Sequence, residues 1–393
     1  MKRALCRIKY TDMKVLRIIT RLNIGGPSRQ ALLLSERLPE YGYETVLVHG
    51  SLSAEEGSME RIPENCRILP VPELAQGAGV LRTGSAFSRI VRILVRERPD
   101  IVHTHQAHAG AVGRAAAAAV GVPRIIHTFH GHTFHSYFSP WKEGLVIRSE
   151  RFLSALSTDI IGISSRICRE LAVRYRICPQ RKLRRIPLGF DLEKFAADED
   201  GGAAVRKELG IRSDALVTGF SGRLVPVKDP LLFVDTAREL ADLFPDMVFL
   251  VCGDGEMKDA VSERITERGL TDRFVITGWR QDPERCLRAM DVMLLTSRNE
   301  GTPAAVIEAM AAGIPVTAAA VGGLPDLVCD NRTGLLVSGR SPAAFAQRIS
   351  TLIKDMDLRQ RIIKNARLSS AGYSAERLLR NMDRLYCRNS GER

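Results

Sequence analysis

Residues 297–323 read Ser-Arg-Asn-Glu-Gly-Thr-Pro-Ala-Ala-Val-Ile-Glu-Ala-Met-Ala-Ala-Gly-Ile-Pro-Val-Thr-Ala-Ala-Ala-Val-Gly-Gly. The apolar run Val292 to Leu295 reads as a strand that delivers the chain into a polar loop carrying Glu300 and Gly301. Thr302 and Pro303 then suit the N-cap and first position of a helix running to about Ala312, and Gly313 suits a left-handed cap before a further strand from Ile314. One carboxylate, Glu300, therefore sits in the loop before a helix N-terminus, and Glu308 sits inside the helix. Free backbone N–H groups make a helix N-terminus an anion site, and carboxylates beside it can accept hydrogen bonds from hydroxyls of the same ligand. A sugar joined to a diphosphate fits that description. Taken alone, Glu300 would be a solvated loop acid and Glu308 a surface helix residue. The alanine-rich helix, Gly301 and the Gly322-Gly323 turn favour the ligand reading, because small residues permit close approach.

The segment resembles the Glu, seven residues, Glu signature of retaining glycosyltransferases of the GT-B fold, the group that uses nucleotide sugars. The resemblance implies an α/β protein of two Rossmann-like domains facing across a cleft. It places an acceptor-side domain at 1–188, a nucleotide-sugar domain at 189–370 and a terminal helix at 371–393 that crosses back to the first domain. The bacterial cell-surface polysaccharide branch of the group is the expected relation.

Whole-chain properties agree with two domains. The chain has 393 residues, 45% hydrophobic and 26% charged, and no window of 18 uncharged apolar residues that could span a bilayer. Arg7, Lys9 and Asp12 interrupt any signal-peptide core after Met1, which leads us to expect a cytoplasmic protein. The eight cysteines contain no Cys-x-x-Cys pair, which argues against a zinc knuckle or a disulfide framework. A formal charge of +12 calls for a partner. Nucleic acid is disfavoured, since no aromatic-interleaved basic motif is present. An anionic membrane surface suits clusters such as Arg92, Arg96 and Arg98 or Arg181, Lys182, Arg184 and Arg185, with peripheral attachment at the inner face of the membrane; solvated faces that aid solubility account for them equally well.

Along the chain, strands alternate with helices. Lys14 to Thr20 reads as the first strand and Pro27 to Leu38 as the next helix, with Gly25 and Gly26 at its N-terminus, where they suit a phosphate or sugar. A loop-rich stretch is expected from Gly50 to Gly79. Seven of the eight histidines, His103, His105, His108, His127, His130, His132 and His135, fall in one region. No Glu or Cys ligand accompanies His103-Thr-His105, which we read as alternating faces along a strand end, so no metal is expected. The resemblance assigns His130 to the approach to the donor sugar. From Ser136 to Ser157, aromatic and basic residues mix as in an interfacial segment, although packing against a neighbouring helix accounts for them nearly as well.

In the second half, Arg223 and Lys228 stand in a loop between a strand and a helix begun by Asp229-Pro230, and they match the family's diphosphate clamp. Gly253, Asp254 and Gly255 follow a strand, and in the family this region and Arg280 line the pocket for the nucleotide base. Gly301, Thr302, Pro303 and Glu308 complete the donor set. The resemblance further implies front-face reaction, the departing phosphate taking the acceptor proton, with Glu300 orienting sugar hydroxyls and Glu308 binding the ribose. The expected activity is hexosyl or N-acetylhexosaminyl transfer from a nucleotide sugar, UDP-linked by preference, to a glycan or polyprenyl-diphosphate-linked acceptor, without metal or other cofactor. The alternatives are a nucleotide-sugar epimerase on the same plan and a non-catalytic, membrane-attached nucleotide-binding scaffold.

Overall fold

The computed structural model describes residues 13–23, 25–52, 66–75, 79–131, 140–197 and 201–387. The chain divides into two compact units, residues 1–190 with 375–393, and residues 191–374.

The first unit is built on a parallel sheet of β1 (Met13–Ile19), β2 (Tyr43–His49), β3 (Arg67–Pro70), β4 (Ile101–His105), β5 (Arg124–Phe129), β6 (Asp159–Gly162) and β7 (Leu183–Arg185). Their spatial order is β3-β2-β1-β4-β5-β6-β7, with register pairs such as Ile18–Val48 and Ile18–Thr104. A parallel strand covered by helices on both faces reads as a continuous apolar run, which is why Val15-Leu16 and Ile18-Ile19 are all fully buried. The stretch expected to be loop from Gly50 to Gly79 contains β3, a short edge strand; Arg67 and Pro70 are exposed and Ile68 and Leu69 only partly buried, so no buried apolar run announces it.

The second unit repeats the plan with β8 (Val217–Ser221), β9 (Val248–Cys252), β10 (Phe274–Gly278), β11 (Val292–Leu295), β12 (Val316–Ala319) and β13 (Leu335–Val337), ordered β10-β9-β8-β11-β12-β13. Helices Pro230–Leu243 and Pro342–Lys354 pack on each other, and Phe233 and Phe345 join Phe220, Phe249 and Leu294 in one core. In both sheets the order reverses once, between β1 and β4 and between β8 and β11. Open α/β sheets hold their ligands beyond the carboxyl ends of the strands at such a reversal.

The helix Ala375–Cys387 follows the second unit in sequence but packs in the first. Its buried residues Leu378, Leu379, Met382, Leu385 and Tyr386 recur at helical spacing and meet Val15, Leu34, Ile101 and Ile126. Arg124 donates to the carbonyls of Leu385 and Tyr386 at 3.0 and 2.5 Å, satisfying helix-terminal acceptors. Tyr43 donates to Asp383 at 2.8 Å. Leu378→Ala is expected to cost about 2–5 kcal/mol, the scale for emptying a packed leucine site. Denaturant unfolding followed on the first unit's signal checks this, and an unchanged midpoint would contradict the docking of this helix.

Candidate functional site

In the second unit the reversal brings together the loops after β8 and β11. Lys228 Nζ lies 2.5 Å from Glu300 Oε1, and the same oxygen accepts from Ser297 Oγ at 2.6 Å. The ion pair is largely shielded, with side-chain exposures of 17% and 9%. Arg223 stands in the same loop as Lys228, partly buried, and its guanidinium has no hydrogen-bond or ion-pair partner among the described residues.

Backbone crowding fixes the floor of this site. Gly323 N–H donates to the Glu300 carbonyl at 2.8 Å, and a Cβ on Gly322 would fall 1.9 Å from that oxygen. A Cβ on Gly323 would fall 1.8 Å from the Gly301 carbonyl oxygen. Gly322 also has φ +56°, a left-handed conformation that favours glycine. The loop after β9 approaches the β8 loop as closely. Leu224 N–H donates to Asp254 O at 2.9 Å, and a Cβ on Gly253 would lie 1.9 Å from Gly222 O.

The helix after Glu300 spans Ala304–Ala312, so it starts one residue later than the sequence suggests. Pro303, in extended conformation with ψ 118°, is its N-cap, and Thr302 does not cap it through its side chain. No acidic residue occupies the first turn, so nothing within the helix itself offsets the positive end of its dipole. Glu308 is 4% exposed, so it is not the surface residue that it would be if taken alone. Gly313 closes the helix at φ 78°.

Two expected members of this set are engaged elsewhere. The guanidinium of Arg280 binds Asp282 at 2.8 and 2.9 Å and Glu208 at 2.6 and 3.1 Å, and these bonds push its pKa above the ordinary value. Asp254 receives Gly255 N–H at 2.8 Å and Lys258 at 3.0 Å. Ser297 was not singled out from the sequence, since a serine three residues before a glutamate carries no distinctive signal.

In the first unit the reversal joins the loops after β1 and β4, with the end of β5 alongside. Gly25 is the N-cap of helix Gly26–Arg37, and a Cβ on Gly26 would meet nothing nearer than Leu188 at 3.6 Å. Crowding therefore does not demand glycine at 26. His103 and His105 do not alternate faces as expected: two residues apart in a strand, they share one, with rings 4.3 Å apart. Thr104 faces the other way and bonds His127 Nδ1 at 2.8 Å. His103 Nδ1 meets Tyr386 Oη at 2.8 Å and its Nε2 meets Thr128 Oγ1 at 2.7 Å. His105 Nδ1 and His130 Nε2 are 2.9 Å apart, while His105 Nε2 and His130 Nδ1 are buried without a partner among the described residues. A neutral imidazole has one donor and one acceptor. Whichever ring donates in the shared bond, one of the two outer nitrogens is a donor and the other an acceptor, and they point away from each other. His132 and His135 lie outside the described residues. Among those that are described, no group of three or more His, Cys, Asp or Glu is placed to hold a metal.

The model for glycosyltransferase family 4 matches residues 24–194, and that for glycosyl transferases group 1 matches residues 203–369. Over 352 residues the chain is 30% identical to the UDP-Gal:alpha-D-GlcNAc-diphosphoundecaprenol alpha-1,3-galactosyltransferase of Escherichia coli, covering 88% of this chain and 89% of that protein. The chain belongs to this glycosyltransferase family. A further family member, the D-inositol 3-phosphate glycosyltransferase of Corynebacterium glutamicum (strain R), is 28% identical over 87% of this chain and 86% of its own. The crystal structure of Anabaena Alr3699/HepE in complex with UDP and glucose matches with TM-score 0.79 and 21% identity, covering 96% of this chain and all of that one. A glycosyltransferase from Rickettsia africae ESF-5 matches with TM-score 0.82 and 18% identity, over 98% and 100%. These solved structures establish the fold as GT-B, two Rossmann-like domains.

Burial lowers the imidazole of His130 to about 3. It also carries His103, His105 and His127 well below 6.5, with nearby Arg17, His103 and Arg114, respectively, adding to the shift. Below pH 6.5 the unfolded chain binds protons that these folded imidazoles refuse, so stability is full above that pH and falls as pH drops below it. Thermal unfolding is expected to show a lower midpoint at pH 5 than at pH 7, and His103→Asn with His127→Asn should flatten that dependence. A flat wild-type profile would contradict the neutral, buried cluster.

Proposed function

We propose that this glycosyltransferase moves a hexose or N-acetylhexosamine, with retention of anomeric configuration, from a UDP-sugar to a polyprenyl-diphosphate-linked or related glycan acceptor in cell-surface polysaccharide synthesis. The observation that carries the reading is the Lys228–Glu300 pair at the strand-order reversal of the second unit, beside an uncapped helix N-terminus. Lys228 and the unpartnered Arg223 supply positive charge for a diphosphate, and Glu300 accepts from hydroxyls of the transferred sugar. Glu308 is assigned to the ribose, and the loops carrying Gly253, Asp254 and Gly255 to the base. Arg280 enters this set only through its backbone, because carboxylates occupy its side chain.

In the proposed step the bond from the anomeric carbon to the leaving diphosphate oxygen breaks while the acceptor oxygen bonds to the same face. The acceptor proton passes to the departing diphosphate, whose charge Arg223, Lys228 and the helix N-terminus stabilise without a metal. His105 and His130 are neutral at pH 7, a state that suits hydrogen bonding better than proton donation.

The acceptor assignment is supported by the E. coli relative, whose name specifies a lipid-diphosphate substrate. It is also supported by helix Pro140–Leu156, which exposes Trp141, Leu145 and Phe152 at 69, 58 and 66% beside exposed Lys142, Arg148 and Arg151. Such a face suits shallow insertion into an anionic surface, with about 1 kcal/mol from each nearby cation. No helix among the described residues is long and apolar enough to cross a membrane.

The test is transfer from UDP-galactose, UDP-glucose and UDP-N-acetylhexosamines to GlcNAc-diphosphoundecaprenol in anionic vesicles, with product configuration read by NMR. UDP release should require the acceptor, survive EDTA and give an α-linked product. Lys228→Ala should slow it by about two to three powers of ten, the scale for losing one preorganised charge-stabilising group. Release independent of acceptor, an inverted product or a wild-type rate in Lys228→Ala would contradict the reading.

A further inference from the structure

Behind the Lys228–Glu300 pair lies a second network that the sequence did not announce. Arg340, beyond β13 and next to Gly339 at φ 87°, donates from Nη1 to the Ser297 carbonyl at 2.9 Å and from Nη2 to the Thr296 carbonyl at 2.7 Å. Its Nη2 also binds the carboxylate of Asp229, which takes a second guanidinium, that of Arg298, at 3.0 Å. Thr296 Oγ1 donates to the carbonyls of Lys228 and Asp229 at 3.2 and 2.9 Å, and Arg298 N–H donates to Val227 O at 2.8 Å. Since Ser297 Oγ reaches Glu300 and Glu300 reaches Lys228, the contacts close a ring through Arg340, Ser297, Glu300, Lys228 and Asp229.

Two observations give Arg340 more than a packing role. Asp229, adjacent to Lys228, holds the left-handed conformation at φ 48° and is only 7% exposed. A non-glycine residue persists there only when its surroundings over-determine it, and a buried carboxylate persists only when paired. A cavity of about 480 Å³ borders Asp229, Arg298 and Arg340, so crowding from that side does not pin the aspartate. The two guanidinium groups do, and the side chain of Arg298 is 67% exposed against 37% for Arg340.

We propose that Arg340 is a positioning residue that sets Lys228 and Glu300 against each other, by clamping Asp229 on one loop and the Thr296–Ser297 backbone on the other. The inference rests on the reading of Lys228 as a diphosphate-gripping residue. A lysine at 340 keeps the charge but lacks the planar fork that spans two carbonyls and a carboxylate.

The experiment measures UDP affinity by calorimetry in wild type, Arg340→Ala, Lys228→Ala and the double variant, with Arg340→Lys as a milder second probe. A misplaced Lys228 loses charge-assisted hydrogen bonding to the diphosphate, so Arg340→Ala and Arg340→Lys should each weaken UDP by about 10-fold or more. Residues acting through one group are non-additive, so in the Lys228→Ala background the further cost should fall below about two-fold. Equal costs in both backgrounds, or wild-type affinity in Arg340→Lys and Arg340→Ala, would overturn the positioning role while leaving the diphosphate grip intact. Wild-type affinity in Lys228→Ala would instead overturn the grip, and the positioning role with it.

Discussion

The shielded ion pair between Lys228 and Glu300 is the constraint around which the second unit is arranged. A cation and an anion that meet at 2.5 Å across two loops must be held against solvent and against their own side-chain entropy. The strand-order reversal supplies adjacency, since β8 and β11 are neighbours and their following loops leave the sheet at the same edge. The glycines supply proximity, because Gly322 and Gly323 let backbone approach Glu300 and Gly301 to distances that a side chain would forbid. In the proposed reading, a site so built offers a diphosphate a positive charge and a sugar a carboxylate acceptor at fixed separation, which is what preorganised electrostatic stabilisation requires.

The first unit solves a different problem with the same topology. Its buried imidazoles are neutral, each bonded to a hydroxyl or to another imidazole, and the terminal helix enters the cluster through Tyr386. Arg17, fully buried in β1, donates to Tyr386 Oη at 3.5 Å and to Ser35 at 3.3 Å. Tyr386 Oη and Thr128 Oγ1 thus each engage one ring nitrogen of His103, so both nitrogens of this buried imidazole are satisfied. The last helix of the chain thus contributes to the polar interior of the unit as well as to its apolar core.

Much of this architecture can be read from local pattern. The strand Val292–Leu295 occupies the bounds that its apolar run suggests, because buried parallel strands leave strong signals. The edge strand β3 leaves none, being partly solvated along its length. At the site, Glu300 and Lys228 were legible as individual residues because each stands in a loop at the junction of a strand and a helix. Their direct contact was not, since 72 residues separate them. The same holds for Arg280, whose engagement with Glu208 depends on a partner equally far away in sequence. Asp229 and Arg340 are least legible of all, because ordinary charged residues gain their meaning only when tertiary structure brings them to one point. The shared face of His103 and His105 follows from strand period two and was misjudged as alternation.

The central claim is that Glu300 receives the hydroxyls of a sugar whose diphosphate is held by Lys228 and Arg223. It is tested most directly by titrating wild type and Glu300→Gln with UDP and with the preferred UDP-sugar. Charge-assisted hydrogen bonds contribute about 1.5–3 kcal/mol, so Glu300→Gln should erase about ten-fold or more of the preference for UDP-sugar over UDP while retaining affinity for UDP itself. A preference unchanged by Glu300→Gln, or loss of UDP binding equal to the loss for UDP-sugar, would contradict it.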